Sequence, residues 1–206
     1  MDSMQALRKL PPVTTLLVAA NFVVFFVLEM LGSTESGIFM LQHGALYGPI
    51  ILAGPDYYRL FTAMFLHFGA SHLMHNMLML FLIGGRLEQA VGSLKMLVIY
   101  LASGIGANVF TVWFYTVTGT DAVSAGASGA LMGVVGALFA CILKRRGALA
   151  GMDRRQMLIL IVFSLYSGFV TGSTNNAAHI SGLVFGFLLG LLFGRSAGRR
   201  RRAGEI

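Results

Sequence analysis

The stretch Gly126-Ala127-Ser128-Gly129-Ala130-Leu131-Met132-Gly133 hands a turn over to an apolar helix that carries no charge until Lys144-Arg145-Arg146. A serine set among small residues has a plain explanation, the close approach of two helices, and a lone GxSG pattern supports nothing beyond it. Three other residues change its weight. His72, Asn76 and His179 also lie inside apolar segments, where an uncompensated polar group is expensive and needs a partner or a task.

Working outward, the composition settles the solvent. Of 206 residues, 56% are hydrophobic and only 11% charged, and the mean hydropathy is +0.78. A water-soluble domain of this size has no use for so much apolar surface, so the chain is read as a polytopic membrane protein. A bilayer core about 30 Å thick needs apolar runs of about 20 residues, and six stretches approach that length. The single Cys141 rules out a disulfide within the chain. The first apolar run lacks a small-x-small cleavage site followed by soluble sequence, so no removable signal peptide is expected. The net charge of +7 would suit nucleic acid, but its placement does not. All the lysines and arginines except Arg59 fall into four clusters between alternate apolar segments, the signature of membrane topology. Nucleic acid is therefore set aside, while the run Arg199-Arg200-Arg201-Arg202 suits anionic lipid headgroups.

The clusters order the spans. Arg8 and Lys9 precede a first span over about 14–31. Residues 32–58 contain Glu35 and Asp56 but no Lys or Arg, with breaks at Gly48-Pro49 and Gly54-Pro55. This outer loop is too apolar for a solvated linker and is expected to be partly helical and embedded in the outer leaflet. A second span over about 71–84 is followed by Arg86, Glu88 and Lys95, and a third runs over about 94–115. The loop 116–126 holds only Asp121 and lies outside. The fourth span, 128–143, ends at the basic group that includes Arg154 and Arg155. The fifth covers about 156–170, an uncharged loop spans 171–177, and the sixth, 178–193, ends at Arg195. The expected fold is thus an all-α bundle of six transmembrane helices with both termini in the cytoplasm. It forms one domain over 1–206, with a core of about 14–194 and a basic tail over 195–206, in the cell (inner or plasma) membrane.

Periodicity and counting bring the polar residues together. His72 and Asn76 are four apart and share a helix face, whereas His75 points elsewhere and suits packing or a loop hydrogen bond. Gly182, Gly186 and Gly190 share the face of His179, and Gly129, Gly133, Ala137 and Ala140 form a matching stripe on the fourth span. If the stripes meet, Ser128 and His179 lie near the same end of two touching helices. Each stands sixteen residues before a basic residue, Lys144 and Arg195 respectively. At about 1.5 Å per residue both sit roughly 24 Å above the cytoplasmic boundary, a few Å below the outer surface. His72 and Asn76 reach a similar or slightly deeper level.

This set permits acyl transfer. Serine is a weak nucleophile until a base takes its proton, and neutral histidine is the usual base. A triad would add a carboxylate, but Glu29 is near the outer end of the first span, Asp121 is in a loop and Glu88 is inside. A Ser128–His179 dyad follows, its imidazole held by packing. His72, Asn76 and the backbone N–H groups of Ala127 and Ser128 at the helix start would face a developing oxyanion. Met132, one turn after Ser128, is placed to rest against the His179 ring.

With these residues in view, the chain resembles the rhomboid family of intramembrane serine proteases, in its compact six-span prokaryotic form. The resemblance runs from about Tyr57 to Gly190. It rests on Tyr58-Arg59, His72-x-x-x-Asn76, Glu88-x-x-x-Gly92, Gly126-Ala127-Ser128-Gly129 and Ala178-His179-x-x-Gly182-x-x-x-Gly186. It implies Ser128 as nucleophile, His179 as general base, and His72 and Asn76 in the oxyanion hole, with Gly126, Gly129, Met132 and Gly182 in support. It also implies a membrane-embedded first loop, entry gated by the fifth span and the loop at 171–177, and single-span membrane proteins as substrates. Two positions depart from the common pattern: Tyr58 stands where the family often has Trp, and Met132 where it often has an aromatic. Neither removes a reacting group.

Other readings explain less. A non-catalytic scaffold of the same fold would be free to lose Ser128 or His179, and both are present. A transporter that relays protons through buried histidines leaves the GxSG spacing without a reason. A metal site at His67, His72 and His75 lacks HExxH and a nearby carboxylate, and no cofactor is called for.

Overall fold

In a lipid core every backbone N–H and C=O must be satisfied within its own segment, which leaves helices as the way to cross for a chain patterned like this one. The computed structural model describes residues 10–145, 148–171 and 175–194. Arg8, Lys9, Arg146, the loop residues Gly172 and Ser173, and the basic tail from Arg195 lie outside the described residues. Among the described residues the secondary structure is helical, apart from two isolated bridges, Leu46 with Ser124 and Leu149 with Met152.

Among the described residues four helices are long and apolar enough to cross a membrane: α1 (Pro12–Leu31), α7 (Ser93–Thr118), α8 (Ser128–Arg145) and α10 (Asn176–Phe193). The stretch 32–58 after α1 is partly helical as expected, with α2 (Gly37–Gln42) and α3 (Gly48–Ala53), and α4 (Arg59–Thr62) follows it. A fifth candidate span is broken. Residues 56–65 and 69–91 meet at a bend of 77°, and the longer arm comprises α5 (Gly69–Met79), a π-helical turn at Leu80–Gly84 and α6 (Gly85–Val91). The remaining helix, α9 (Arg154–Thr171), is 18 residues long. It opens on a reciprocal capping box in which Gln156 N–H donates to Asp153 Oδ1 (2.8 Å) and Asp153 N–H to Gln156 Oε1 (3.0 Å).

The helix of this longer arm runs past Gly84 to Val91, so Arg86 and Glu88 lie within it. Glu88 is buried there and fully engaged. Its carboxylate accepts from the N–H groups of Val13 (3.0 Å) and Thr14 (2.8 Å) and from the hydroxyls of Thr14 (2.8 Å) and Ser93 (2.7 Å). That carboxylate caps the start of α1, where the first N–H groups have no intrahelical acceptor and an anion is favoured. Arg86 likewise stays within the helix, donating to Leu82 O and Ala150 O.

Helix α8 is the centre of the bundle. Of its apolar window 72% is buried, against 28% for α1 and 33% for α10. Its neighbours supply a core that includes Tyr100, Leu80, Leu87, Met96 and Ile99. The outer faces of α1, α7, α9 and α10 expose Phe26, Trp113, Phe163 and Leu188, as a lipid-facing surface requires. The expected small-residue stripes do meet. A Cβ on Gly182 would stand 3.0 Å from the carbonyl carbon of Gly129, and one on Gly190 would stand 2.6 Å from Cα of Ala137. Backbone touches backbone along the α8–α10 seam, which only residues without a side chain at these positions allow.

Candidate active site

Ser128 opens α8 from a segment held on several sides. Ser124 exchanges both backbone hydrogen bonds with Leu46 (2.8 and 2.9 Å), Gly126 N–H donates to Ala63 O (2.9 Å), and Ala127 N–H donates to His67 Nε2 (3.3 Å). The 32–58 segment, the 56–65 arm and the bend before α5 thus all grip the four residues before the serine. Gly126 has φ +140°, a conformation in which a side chain is strained. It also has no room for one: a Cβ there would lie 2.8 Å from His72 Cε1 and 3.7 Å from Ser128 Oγ. The His72 ring and the Ser128 hydroxyl therefore flank the same glycine. Ala127 O accepts from Leu131 N–H (2.9 Å) as the first intrahelical bond. The N–H of Ser128, like others in the first turn, is left without an intrahelical acceptor.

His179 sits in the first turn of α10. The Asn175 side chain accepts from Ala178 N–H (2.9 Å), and His179 N–H donates to Asn175 O (3.1 Å). A Cβ on Gly129 would touch Ala178 Cβ at 3.6 Å, so the residues flanking Ser128 and His179 are in contact across the seam. Both ring nitrogens of His179 are buried and lack a hydrogen-bond partner. The imidazole and the Ser128 hydroxyl are therefore not bonded to each other in this structure. Catalytic hydrogen bonds are often long before substrate arrives.

His72 and Asn76 lie on successive turns of α5. His72 is half-buried and meets His67 edge-on, with ring centroids 5.2 Å apart. Asn76 is buried, and its Nδ2 has no partner. Met132 is buried within α8, and Gly126, Gly129 and Gly182 line the approaches described above. His75 is exposed on another face. The carboxylate of Glu29 is occupied elsewhere: it accepts from the N–H and hydroxyl of Thr34, whose oxygen accepts from Gly69 N–H (3.3 Å). Unspent polar capacity at a buried site calls for an explanation; here it falls on His179, Asn76 and the Nδ1 of His67, and Asn21, Tyr100, Ser103 and Asn176 carry more of it elsewhere.

Residues 54–196 match the Rhomboid domain. The chain belongs to the rhomboid family. This rhomboid chain is 33% identical over 184 residues to the rhomboid protease GluP of Bacillus subtilis (strain 168), covering 89% of the chain and 35% of that relative. It is 31% identical over 201 residues to the putative rhomboid protease YdcA of the same organism, covering 97% of each. Rhomboid protease AarA of Providencia stuartii is 32% identical over 205 residues, covering 87% of the chain and 72% of the relative. The chain thus spans about a third of GluP but nearly all of YdcA. The family and the apolar helices make it a multi-pass membrane protein.

Two engaged residues, His67 and Asn175, had no part in the expected site, and a third, Glu88, entered only as a motif position and a topology marker. His67 looked like a possible ligand, yet its Nε2 receives the Ala127 N–H that was expected to face an oxyanion. Glu88 looked like a topology marker. Asn175 drew no notice, although an Asn three residues before Ala178 at the start of an apolar helix is a helix-cap signal.

Proposed function

We propose that this chain is an intramembrane serine endopeptidase that hydrolyses peptide bonds in or near the membrane segments of single-span proteins, through a Ser128–His179 dyad. Membership of the rhomboid family and relatives named rhomboid protease support the enzyme class. The observation that carries the dyad is the backbone contact of Gly182 with Gly129. These glycines follow His179 by three residues and Ser128 by one, so the seam brings the two turns together. As His179 accepts the Ser128 proton, Oγ attacks the scissile carbonyl carbon. The carbonyl oxygen takes up negative charge facing the Ser128 N–H, the Asn76 amide and the His72 ring. Collapse breaks the C–N bond, and His179 returns the proton to the leaving amine. Water, deprotonated by the same imidazole, then hydrolyses the acyl-enzyme and restores Ser128.

The proposed frame is a six-span bundle with both termini cytoplasmic in the cell membrane, a single domain over 1–206, with α9 and the adjoining loop admitting substrate. The broken 56–91 stretch supplies the second span, and α9 the fifth. The loop over 32–58 then rests in the outer leaflet, where its exposed Ile38 and Leu52 meet lipid. The dyad lies a few Å below the outer surface, near enough for water and deep enough to receive an unwound segment of a substrate helix. Ser128→Ala and His179→Ala should each abolish cleavage of a single-span test substrate in detergent while the protein stays folded. Wild-type turnover by Ser128→Ala would leave the non-catalytic scaffold as the better description.

A further inference from the structure

Asn175 joins three separate parts of the molecule at the level of the dyad. Its carbonyl oxygen Oδ1 caps α10 at Ala178 N–H (2.9 Å), and its main-chain oxygen receives the His179 N–H (3.1 Å). Its amide Nδ2 donates to the hydroxyl of Ser124 (2.9 Å) and to that of Thr111 (3.2 Å). Ser124 is four residues before Ser128 and is the residue paired to Leu46 of the outer loop. Thr111 is fully buried on α7. One side chain thus ties the start of the histidine's helix to the segment that delivers the serine, and anchors both to a third helix.

We infer that Asn175 is a positioning residue that sets the registry between His179 and Ser128 across the α8–α10 seam. The inference rests on the dyad reading above. The glycine contacts bring the two helices together, but a seam of small residues offers little resistance to sliding or rotation. Directional bonds at its outer end supply that resistance, because an amide that donates to two fixed hydroxyls and a carbonyl that caps a helix admit one arrangement. The imidazole needs such help: neither ring nitrogen is held by a partner, so its place relative to Ser128 depends on where the turn carrying it is held.

The test compares Asn175→Ala with Asn175→Asp in the full-length protein, reading kcat and KM on a single-span substrate and the rate at which a fluorophosphonate modifies Ser128. Aspartate keeps the acceptor for Ala178 N–H, and the Ser124 and Thr111 hydroxyls can turn to donate to it. Asn175→Ala is expected to lower kcat and the labelling rate together by about 10-fold or more, with KM little changed, since misplacement of reacting groups by a fraction of an ångström acts on the chemical step. Asn175→Asp is expected to recover most of that loss. Thr111→Val, which removes one tether near-isosterically, is expected to fall between them. A lowered melting temperature with wild-type kcat for Asn175→Ala would overturn the inference and leave a helix cap alone. Equal damage from Asn175→Asp and Asn175→Ala would also overturn it. If Ser128→Ala itself retains turnover, the dyad reading fails, whatever Asn175 does.

Discussion

Replacing Gly182 by alanine probes the seam where packing and chemistry meet. The added Cβ would stand 3.0 Å from the carbonyl carbon of Gly129 and closer still to its oxygen. Both are backbone atoms of α8, so no flexible side chain is there to swing away. That oxygen is the limiting contact, and ordinary separations begin at 3.4 Å, so α10 must withdraw locally by roughly 1 Å or more. Overpacking of that kind costs about 1–3 kcal/mol of stability. The same displacement moves His179, one turn before Gly182, away from Ser128. Misplacement by about 1 Å can cost about 100-fold in rate, so kcat for Gly182→Ala is expected to fall by about 10- to 100-fold. Cleavage of a single-span substrate reconstituted in liposomes, with a melting curve in detergent, measures both effects. Gly37→Ala is the control, because a Cβ there meets nothing within 4 Å; it should change neither quantity. Wild-type kcat and stability for Gly182→Ala would refute the idea that this contact sets the dyad geometry.

Two further outcomes follow from the site and its supports. Asn76→Ala should lower kcat by about 100- to 1000-fold with KM little changed, the range for loss of an oxyanion donor, and steady-state kinetics would show whether binding suffers instead. Glu88→Ala should destabilise the fold by at least about 1.5 kcal/mol, the low end for one hydrogen bond to a charged group. Four bonds to α1 and Ser93 are lost together, and a melting temperature equal to wild type would show that α1 is held by packing alone.

What was legible in the chain was what repeats with helical period. The stripes Gly129-Gly133-Ala137 and Gly182-Gly186-Gly190 announce a contact because spacing alone puts them on one face, and the structure joins them. His72 and Asn76 share a face of α5 for the same reason. The partly helical outer loop was visible in its apolar content and Pro/Gly breaks. Less legible was anything fixed by a partner far along the chain. Glu88 read as a marker of the inner side, and nothing local reveals that the first N–H groups of α1, more than seventy residues earlier, engage its carboxylate. The 77° bend before α5 turns at Gly69, whose φ of +73° favours glycine, yet a lone glycine does not announce an angle, and the π turn at Leu80–Gly84 has no local signal. His67 could be read as polar and buried, but its partner, the N–H of Ala127, belongs to the backbone and leaves no trace in side-chain patterns.

Covalent labelling of Ser128 tests the dyad most directly. A fluorophosphonate probe should modify the wild-type protein at Ser128, as mapped by mass spectrometry of the peptide that contains it. Labelling should vanish in Ser128→Ala and fall steeply in His179→Ala, because without the imidazole the hydroxyl keeps its proton. Undiminished labelling in His179→Ala, or an unlabelled Ser128 in protein that still cleaves its substrate, would contradict the dyad.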